Sequence, residues 1–251
     1  MQLRGITVRF GGLVALDDVS LTVPKRGVMG VIGPNGAGKT TLFNVMCGVV
    51  RPTTGTLWRD GRPLRPRPHD LTRLGIARTL QGMGLFPGLT VVENVMAGAT
   101  CHARSGFVSA LLGLPTMDRD EETLRTNALE LLEELGVADY AKAMPGTLPY
   151  AVGKRVALAR ALAAKPRLLL LDEPAGGLSD ADVDALAELV TSLPARGDGC
   201  SVVLVEHHMD LVMRVCQEVA VLDFGRLIAT GTPAQVRENP AVTDAYLGTA
   251  A

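Results

Sequence analysis

Aromatic residues, excess charge of one sign and long apolar runs are all scarce in this sequence of 251 residues. Phe, Trp and Tyr supply 4% of the chain, and 25 basic residues nearly balance 26 acidic residues, which gives a net charge of -1. Without a positive surface field, nucleic-acid binding lacks its usual electrostatic footprint, so we expect no nucleic-acid partner. The longest apolar runs, including Leu168 to Leu171 and Ser201 to Val205, fall far below the roughly 20 residues of a membrane helix, so we expect no membrane span.

Paired cysteines and a secretory signal are also missing. Cys47, Cys101, Cys200 and Cys216 form no Cys-x-x-Cys pair and have no ligand histidines nearby in the sequence. This spacing predicts reduced thiols in packing roles and argues against a disulfide framework or a metal site. Residues 1–10 alternate apolar and polar side chains like a strand and lack the apolar core of a signal peptide, so we expect a cytoplasmic protein.

The rest of the chain alternates strand-like and helical segments on both sides of a helical stretch. Strands are predicted at 6–10, 13–16, 19–23, 27–32, 168–171 and 201–205, and hairpins around Asp60-Gly61 and at 219–229. The apolar runs at 168–171 and 201–205 favour parallel strands buried on both faces. We therefore predict an α/β fold with a mainly parallel core sheet, an N-terminal antiparallel β subdomain and a helical subdomain.

The chain length fits one domain with a single core and an appended subdomain. We assign residues 1–81 and 151–251 to the core with its β subdomain, and residues 82–150 to the helical subdomain. Within the helical stretch, an insert from Cys101 to Met117 contains Gly and Pro and carries several apolar side chains. These side chains either pack inward, which we favour, or cover a partner.

A glycine-rich loop carries the clearest chemical signal. Residues 33–40, Gly33-Pro34-Asn35-Gly36-Ala37-Gly38-Lys39-Thr40, fit the pattern G-x-x-x-x-G-K-[ST], with a predicted strand before the loop and a predicted helix after it. In this pattern the glycines let backbone amides approach phosphate oxygens, the lysine reaches the outer phosphates, and the helix N-terminus adds a favourable dipole. The loop predicts a nucleoside triphosphate site, and a glycine-rich turn without a ligand is the alternative.

Two adjacent carboxylates follow the apolar run Leu168 to Leu171. Phosphoryl transfer needs a magnesium ligand and a group that orients the attacking water, and Asp172 and Glu173 suit these two roles in that order. Thr40 supplies a hydroxyl beside Lys39 for the same ion. Taken alone, adjacent carboxylates at a strand end are more often a solvated turn or a helix start, but the glycine loop favours the catalytic interpretation.

With these motifs, the sequence resembles the ABC transporter ATPases over almost its whole length. Two segments look like the nucleotide motifs of that family: residues Gly33 to Thr41, and Leu171-Asp172-Glu173-Pro174. The resemblance implies ATP and Mg²⁺ as cofactors, nucleotide contacts along residues 33–41 and an ATPase reaction. It also implies that Glu173 acts as the general base or positions the attacking water.

Other positions take their roles from the resemblance alone. Gln81 matches the glutamine that contacts the metal and the water, so Thr40, Gln81 and Asp172 are the implied magnesium ligands. His207, just past a predicted strand, resembles the family's switch histidine, which contacts the terminal phosphate; by itself it reads as a structural histidine. Phe10 matches the aromatic residue that stacks on adenine, although its sequence pattern alone favours a core residue.

Three segments are similar to a subfamily, the branched-chain amino-acid importer ATPases. They are residues 10–16, Val205-Glu206-His207, and the tail from Asn239 to Gly248. The resemblance implies transmembrane permease subunits, a second ABC ATPase subunit and, indirectly, a solute-binding protein as partners. It also implies a peripheral position on the cytoplasmic face of the cell membrane.

The signature segment of the family, usually Leu-Ser-Gly-Gly-Gln, is altered here. It corresponds to Leu148-Pro149-Tyr150-Ala151-Val152, in which only the leucine is unchanged. In the family this segment caps the ATP held by the opposite subunit, and Pro149 offers neither the serine hydroxyl nor an N–H. Proline is tolerated in the first turn of a helix, so a helix from Tyr150 to Ala164 is still predicted. Each lost charge-assisted hydrogen bond weakens closure by about tenfold to a hundredfold.

Two functions are therefore open at this point. The complete set of nucleotide and catalytic residues favours an ATP-hydrolysing importer subunit, whereas the altered signature favours a nucleotide-gated regulatory or degenerate subunit with little hydrolysis of its own. A third candidate, a soluble ABC ATPase acting on DNA or ribosomes, predicts a second nucleotide domain, a coiled-coil insert or a basic surface, and the sequence contains none of these. His208 stands where many relatives carry aspartate, and the sequence offers no physical reason for it.

Overall fold

A computed structural model of the chain describes residues 1–80, 82–102, 116–197 and 199–247. The strands are β1 (Gln2–Phe10), β2 (Leu13–Thr22), β3 (Val28–Ile32), β4 (Thr54–Arg59), β5 (Arg62–Leu64), β6 (Ile76–Arg78), β7 (Leu168–Asp172), β8 (Ser201–Val205), β9 (Glu218–Asp223) and β10 (Arg226–Gly231). The α-helices are α1 (Lys39–Met46), α2 (Val91–Gly98), α3 (Thr116–Glu134), α4 (Tyr150–Ala163), α5 (Asp180–Ser192), α6 (Met209–Val215), α7 (Pro233–Arg237) and α8 (Pro240–Leu247). The insert predicted from Cys101 to Met117 lies largely outside the described residues.

The chain divides into two compact units. The first joins Met1–Ile76 to Arg167–Ala251, and the second is Ala77–Pro166. The sequence placed these boundaries at residues 81 and 150, so the two divisions differ most at α4, which lies in the second unit. The physical reason is close packing within that unit: a Cβ added at Gly98 of α2 would lie 2.0 Å from the carbonyl oxygen of Arg160 in α4.

Two sheets form the first unit. An antiparallel sheet has the strand order β2-β1-β4-β5, and a second sheet has the order β10-β9-β3-β8-β7-β6, with only the first residue of β6 belonging to this unit. In the second sheet β3 runs parallel to both β8 and β9, and β7 runs parallel to β8. The predicted α/β fold, with a mainly parallel core sheet and an N-terminal antiparallel sheet, is confirmed.

The centre of the parallel sheet is buried throughout. All five residues of β3 and all five residues of β7 are inaccessible to solvent or nearly so, as expected for parallel strands covered on both faces. Phe43 of α1 is fully buried and belongs to the same core cluster as Leu170 and Val203. Each such apolar side chain contributes roughly 1.5–3 kcal/mol on burial, so the core fixes the strands that end at the site described below.

One strand replaces the two predicted at 13–16 and 19–23. β2 is continuous from Leu13 to Thr22, and its pairing with β1 shifts register between Ile6 and Val8. Asp18 has a positive φ of 53°, the backbone conformation that a bulge residue often takes. The acidic pair Asp17-Asp18 therefore marks a local irregularity and not a break between strands, so that prediction was wrong.

The hairpin predicted at Asp60-Gly61 is confirmed. It joins β4 to β5 in antiparallel register, with Trp58 opposite Pro63. Asp60 and Gly61 have φ values of 49° and 77°, which match the two positive φ angles of a tight two-residue turn.

Local side-chain hydrogen bonds fix the start of α2 in the helical unit. The Glu93 carboxylate accepts a hydrogen bond from the Thr90 amide at 2.7 Å, and the Thr90 hydroxyl accepts one from the Glu93 amide at 3.4 Å. This reciprocal capping box satisfies two backbone donors at the helix end, and the hydrogen bonds to Thr90 lower the pKa of Glu93.

Among the described residues, no helix combines the length and apolar character needed to cross a bilayer.

Three of the four cysteines occupy the packing roles predicted for them. Cys47, Cys200 and Cys216 are buried and Cys101 is exposed, and all of them are free thiols. Burial raises the pKa of Cys200 to about 11 and that of Cys216 to about 12. The Cys200 and Cys216 thiols react slowly for two reasons: they are shielded from reagents, and they are protonated at neutral pH.

We therefore expect one thiol per chain to react quickly with Ellman's reagent at pH 8 in the native protein, and all four after denaturation. Cys101→Ser should remove the fast phase and leave the slow phases unchanged. Fast reaction of two or more thiols in the folded protein would contradict this assignment of burial.

Candidate active site

Three loops meet at the carboxyl edge of the parallel sheet. β3 ends at Ile32, β7 at Asp172 and β8 at Val205, and Asp172 pairs directly with Val205 in the sheet register. Neighbouring parallel strands end at the same edge, where the ligand sites of such sheets are usually found. The glycine loop, the acidic pair and the histidine region therefore arrive together, although they are far apart in the sequence.

The glycine loop needs glycine at two points where it touches other backbone. Gly33 has a φ of 147°, and a Cβ added there would lie 2.0 Å from the carbonyl oxygen of Leu222 in β9. Gly38 has a φ of 101°, and its added Cβ would lie 2.6 Å from the carbonyl oxygen of Ala15. Gly38 is the N-cap of α1, so the loop ends where the amides of that helix begin.

Lys39 lies at the centre of this loop. Its side chain is 7% exposed, and its Nζ donates hydrogen bonds to the carbonyl oxygens of Gly33 at 2.6 Å and Pro34 at 2.8 Å. Burial lowers the pKa of Lys39, and the nearby carboxylates of Glu173 and Asp172 partly oppose that shift. The structure thus brings the two acidic side chains close enough to interact with the loop lysine.

Glu173 and His207 form a pair beside the loop. Glu173 Oε1 lies 3.0 Å from His207 Nε2, and the side chains are 30% and 43% exposed. The backbone of Glu173 has a positive φ of 48°, and its amide donates to the Val205 carbonyl at 2.9 Å. Positive φ is costly for a residue other than glycine and is concentrated at functional sites. Both side chains remain accessible to a ligand.

Asp172, Thr40 and Phe10 are placed differently with respect to solvent. Asp172 is buried at 5% exposure at the end of β7, whereas Thr40 is exposed beside Lys39. Phe10 is 50% exposed at the end of β1, so the expectation of a core residue drawn from its pattern is wrong, and a free aromatic face fits the alternative. Gln81 lies outside the described residues.

A carboxylate and a hydroxyl are suitable ligands for magnesium. Mg²⁺ in nucleotide enzymes is usually held by one or two protein oxygens together with phosphate oxygens of the substrate, and Asp172 and Thr40 supply that donor chemistry next to the loop lysine. Among the described residues, no group of three or more His, Cys, Asp or Glu side chains forms a protein-only metal site. The donor set therefore fits an ion that arrives with a nucleotide.

Two residues that the sequence did not single out for a role contact this region. Glu206 is 1% exposed, and its carboxylate accepts hydrogen bonds from the Ala175, His207 and His208 amides. Tyr246 of α8 interacts with the backbone of Gly33 in the glycine loop; burial raises the Tyr246 pKa, and the interaction with Gly33 partly opposes that rise. An acidic residue directly after an apolar strand was a signal for Glu206, but no local pattern pointed to Tyr246.

The altered signature segment lies in the helical unit. α4 begins at Tyr150, as predicted, with Pro149 as its N-cap and no side-chain cap hydrogen bond. The following glycine keeps a packing role, because a Cβ added at Gly153 would lie 1.8 Å from the sulfur of Met83. The helix start survives without a capping side-chain hydrogen bond.

Comparison with known families identifies this combination of loop and acidic pair. A family model described as ABC transporter matches residues 16–176. The chain belongs to the ABC transporter ATPase family. A second model, described as branched-chain amino acid ATP-binding cassette transporter, matches residues 226–251, so both the ABC core and the C-terminal tail have counterparts.

Full-length relatives of this ABC protein include two bacterial proteins. It is 39% identical over 251 residues to the high-affinity branched-chain amino acid transport ATP-binding protein BraF of Pseudomonas aeruginosa, covering 100% of this chain and 98% of BraF. It is 36% identical over 251 residues, with the same shares covered, to the protein LivG of Escherichia coli, which carries the same description.

Solved ABC structures share the fold. A nucleotide-free ATP-binding cassette from an ABC transporter matches with a TM-score of 0.83 and 28% identity, covering 98% of this chain and 97% of that one. The ATP-binding cassette MJ0796, in a dimeric post-hydrolysis state bound to ADP and Pi, matches with a TM-score of 0.78 and 26% identity, covering 92% and 98%. The predicted fold class and family are confirmed.

The loop geometry predicts a large difference between two glycine substitutions. Gly33→Ala should lower the free energy of unfolding by about 3–5 kcal/mol, because it adds both backbone strain and a clash with Leu222. Gly36→Ala is the matched control, since its φ is also positive, at 80°, but nothing lies within 4 Å of its added Cβ; about 1–2 kcal/mol is expected. Urea unfolding followed by circular dichroism measures both values, and equal losses would contradict the proposed seating of Gly33.

Proposed function

We propose that this ABC protein is the ATP-hydrolysing subunit of an importer for branched-chain or related amino acids. Membership of the family makes it an ATPase, and the names of BraF and LivG, together with the C-terminal match at residues 226–251, support the class of solute. The observation that carries the proposal is the grouping of Lys39, Asp172, Glu173 and His207 at one sheet edge.

The glycine loop binds the triphosphate of ATP in this proposal. Lys39 exchanges the two loop carbonyls, its present hydrogen-bond partners, for oxygens of the outer phosphates. Residues 33–41 supply backbone amides and hydroxyls, and the start of α1 adds its dipole. Phe10 stacks on the adenine with its exposed face. Thr40 and Asp172 would hold Mg²⁺, with Gln81 as a third ligand implied by the family resemblance, and the ion would neutralise charge on the phosphates.

Hydrolysis then needs a water molecule aligned with the terminal phosphate. Glu173 orients this water and accepts its proton while the bond between the terminal phosphorus and the ADP oxygen breaks, giving ADP and phosphate. His207 holds the Glu173 carboxylate through their contact at 3.0 Å and reaches the terminal phosphate. The pair supplies orientation, which is most of what an enzyme contributes to phosphoryl transfer.

The protein works with partners. Transmembrane permease subunits carry the solute, a second ABC ATPase subunit completes each nucleotide site, and a solute-binding protein delivers the amino acid. The dimeric state of MJ0796 supports the pairing of ATPase subunits. We place the chain peripherally at the cytoplasmic face of the cell membrane, on its permease.

The altered signature favours a division of labour within that pair. Pro149 at the N-cap of α4 lacks a side-chain donor, so this chain completes its partner's site less well than the usual segment does. The chain therefore pairs with a different ATPase subunit, and one of the two nucleotide sites in that pair is stronger than the other. A subunit with little hydrolysis of its own is the second candidate, and the same observation at Pro149 favours it.

The first test concerns Glu173. In the assembled transporter, Glu173→Gln should lower the rate of phosphate release by about 10²–10³-fold, because the amide cannot accept the proton of water. Binding of ATP should change little. Glu188→Gln, an exposed glutamate on α5, is the control and should keep the parent rate. Equal rates for the Glu173 variant and the parent would remove this residue from the mechanism and favour the second candidate.

The second test concerns the signature. The double substitution Ala151→Gly and Val152→Gln should raise turnover of the assembled transporter by about tenfold, since the backbone regains room to approach phosphate and a polar side chain returns. The control replaces exposed Lys142 with Ala in the same unit and should leave turnover unchanged. A double variant with parent turnover would mean that the altered segment does not limit the cycle.

A further inference from the structure

Glu206 is a buried carboxylate with an unusual set of partners. It follows β8 directly and is 1% exposed. Its Oε1 accepts a hydrogen bond from the Ala175 amide at 2.6 Å, and its Oε2 accepts one from the His207 amide at 2.9 Å and one from the His208 amide at 3.2 Å. Removing a carboxylate from water is costly unless such donors replace the water, so these three hydrogen bonds hold the side chain in one position.

These hydrogen bonds join the loop that carries Glu173 to the loop that carries His207. Ala175 follows Glu173 by two residues. It begins a turn in which its carbonyl oxygen accepts a hydrogen bond from the Leu178 amide at 3.0 Å. His207 follows Glu206 directly. The bonds therefore close a ring that runs from Glu173 through Ala175, the Glu206 side chain and His207 back to Glu173.

We propose that Glu206 is a positioning residue for ATP hydrolysis, because it fixes the loop of Glu173 and the loop of His207 at the separation that their contact requires. The proposal rests on the function proposed above. Glu206 does not touch the reacting atoms in this scheme. It acts through the backbone amides of Ala175 and His207, and it determines the rate of the chemical step rather than the affinity for nucleotide.

The negative charge matters as much as the shape of the side chain. Three N–H groups point at two carboxylate oxygens, and such charge-assisted bonds are about twice as strong as neutral ones. Glutamine has nearly the same volume, but its NH₂ group would face at least one of these amides without accepting its hydrogen. The loop on that side would lose its anchor, while the apolar packing of β8 would stay the same.

Glu206→Gln tests this inference in the full chain assembled with its transporter. We expect kcat for ATP hydrolysis to fall by about tenfold to a hundredfold, while the Kd for a fluorescent ATP analogue stays within about twofold of the parent value, since the hydrogen bonds of Glu206 go to Ala175, His207 and His208, which lie outside the phosphate loop. Glu188→Gln is the matched control and should change neither quantity. An unchanged kcat, or a loss confined to binding, would overturn the proposal.

A double-mutant cycle with His207→Ala separates positioning from general stability. If Glu206 acts by aligning His207 with Glu173, then Glu206→Gln should lower kcat by less than about threefold once His207 is absent. A side chain that only stabilises the fold would cost the same factor in both backgrounds, and that additive result would count against the proposal.

Two further measurements keep the outcomes distinct. If Glu206→Gln does not fold, as judged by thermal unfolding, Glu206→Asp retains the charge on a shorter stem; it should then show a reduced kcat with parent nucleotide affinity, and a parent kcat would refute positioning. Glu173→Gln is assayed in parallel. Loss of activity there without loss in the Glu206 variants would reject this inference alone, whereas full activity of Glu173→Gln would reject the proposed function itself.

Discussion

The parallel register of β3, β8 and β7 is the constraint on which the site depends. Because Asp172 pairs with Val205 and β3 runs alongside β8, three strand ends reach one edge of the sheet. Buried apolar side chains on both faces fix this register, since a slip by one residue would turn every side chain to the opposite face. Hydrophobic packing therefore brings the phosphate loop and its acidic neighbours to one edge, and polar contacts such as those of Glu206 act on the loops that follow the strands.

Most of this arrangement could be predicted from the sequence, because the strongest sequence patterns are local. An apolar run that ends in Asp172-Glu173 and a glycine loop between a strand and a helix each predict their own geometry, and the sheet rules then bring them together. Glu206 and Tyr246 were harder to assign, because each also interacts with the backbone of a segment far away in the sequence, Ala175 for Glu206 and Gly33 for Tyr246. The resemblance assigned Phe10 to adenine stacking, whereas its pattern alone favoured a core residue, because an apolar residue at a strand end looks the same in the sequence whether its ring is covered or half-exposed.

The unit boundaries depend on contacts that no periodicity reveals. The helical pattern of α4 is the same whether the helix packs on the sheet or on α2, and the decisive feature is the missing side chain at Gly98 that admits the α4 backbone. The start of the same helix carries the altered signature, whereas the loop and acidic residues lie in the other unit. Changes in what the chain offers its partner and changes in its own nucleotide site can thus accumulate separately.

The contact between Tyr246 and Gly33 has a consequence for the tail. Tyr246 of α8 interacts with the backbone of Gly33, the first residue of the phosphate loop, and α8 packs on β10, the strand next to β9, whose Leu222 abuts Gly33. Helix α8 is thus part of the structure that supports the nucleotide loop. Fusions or truncations beyond residue 240 alter the support of that loop even though they lie outside every nucleotide motif.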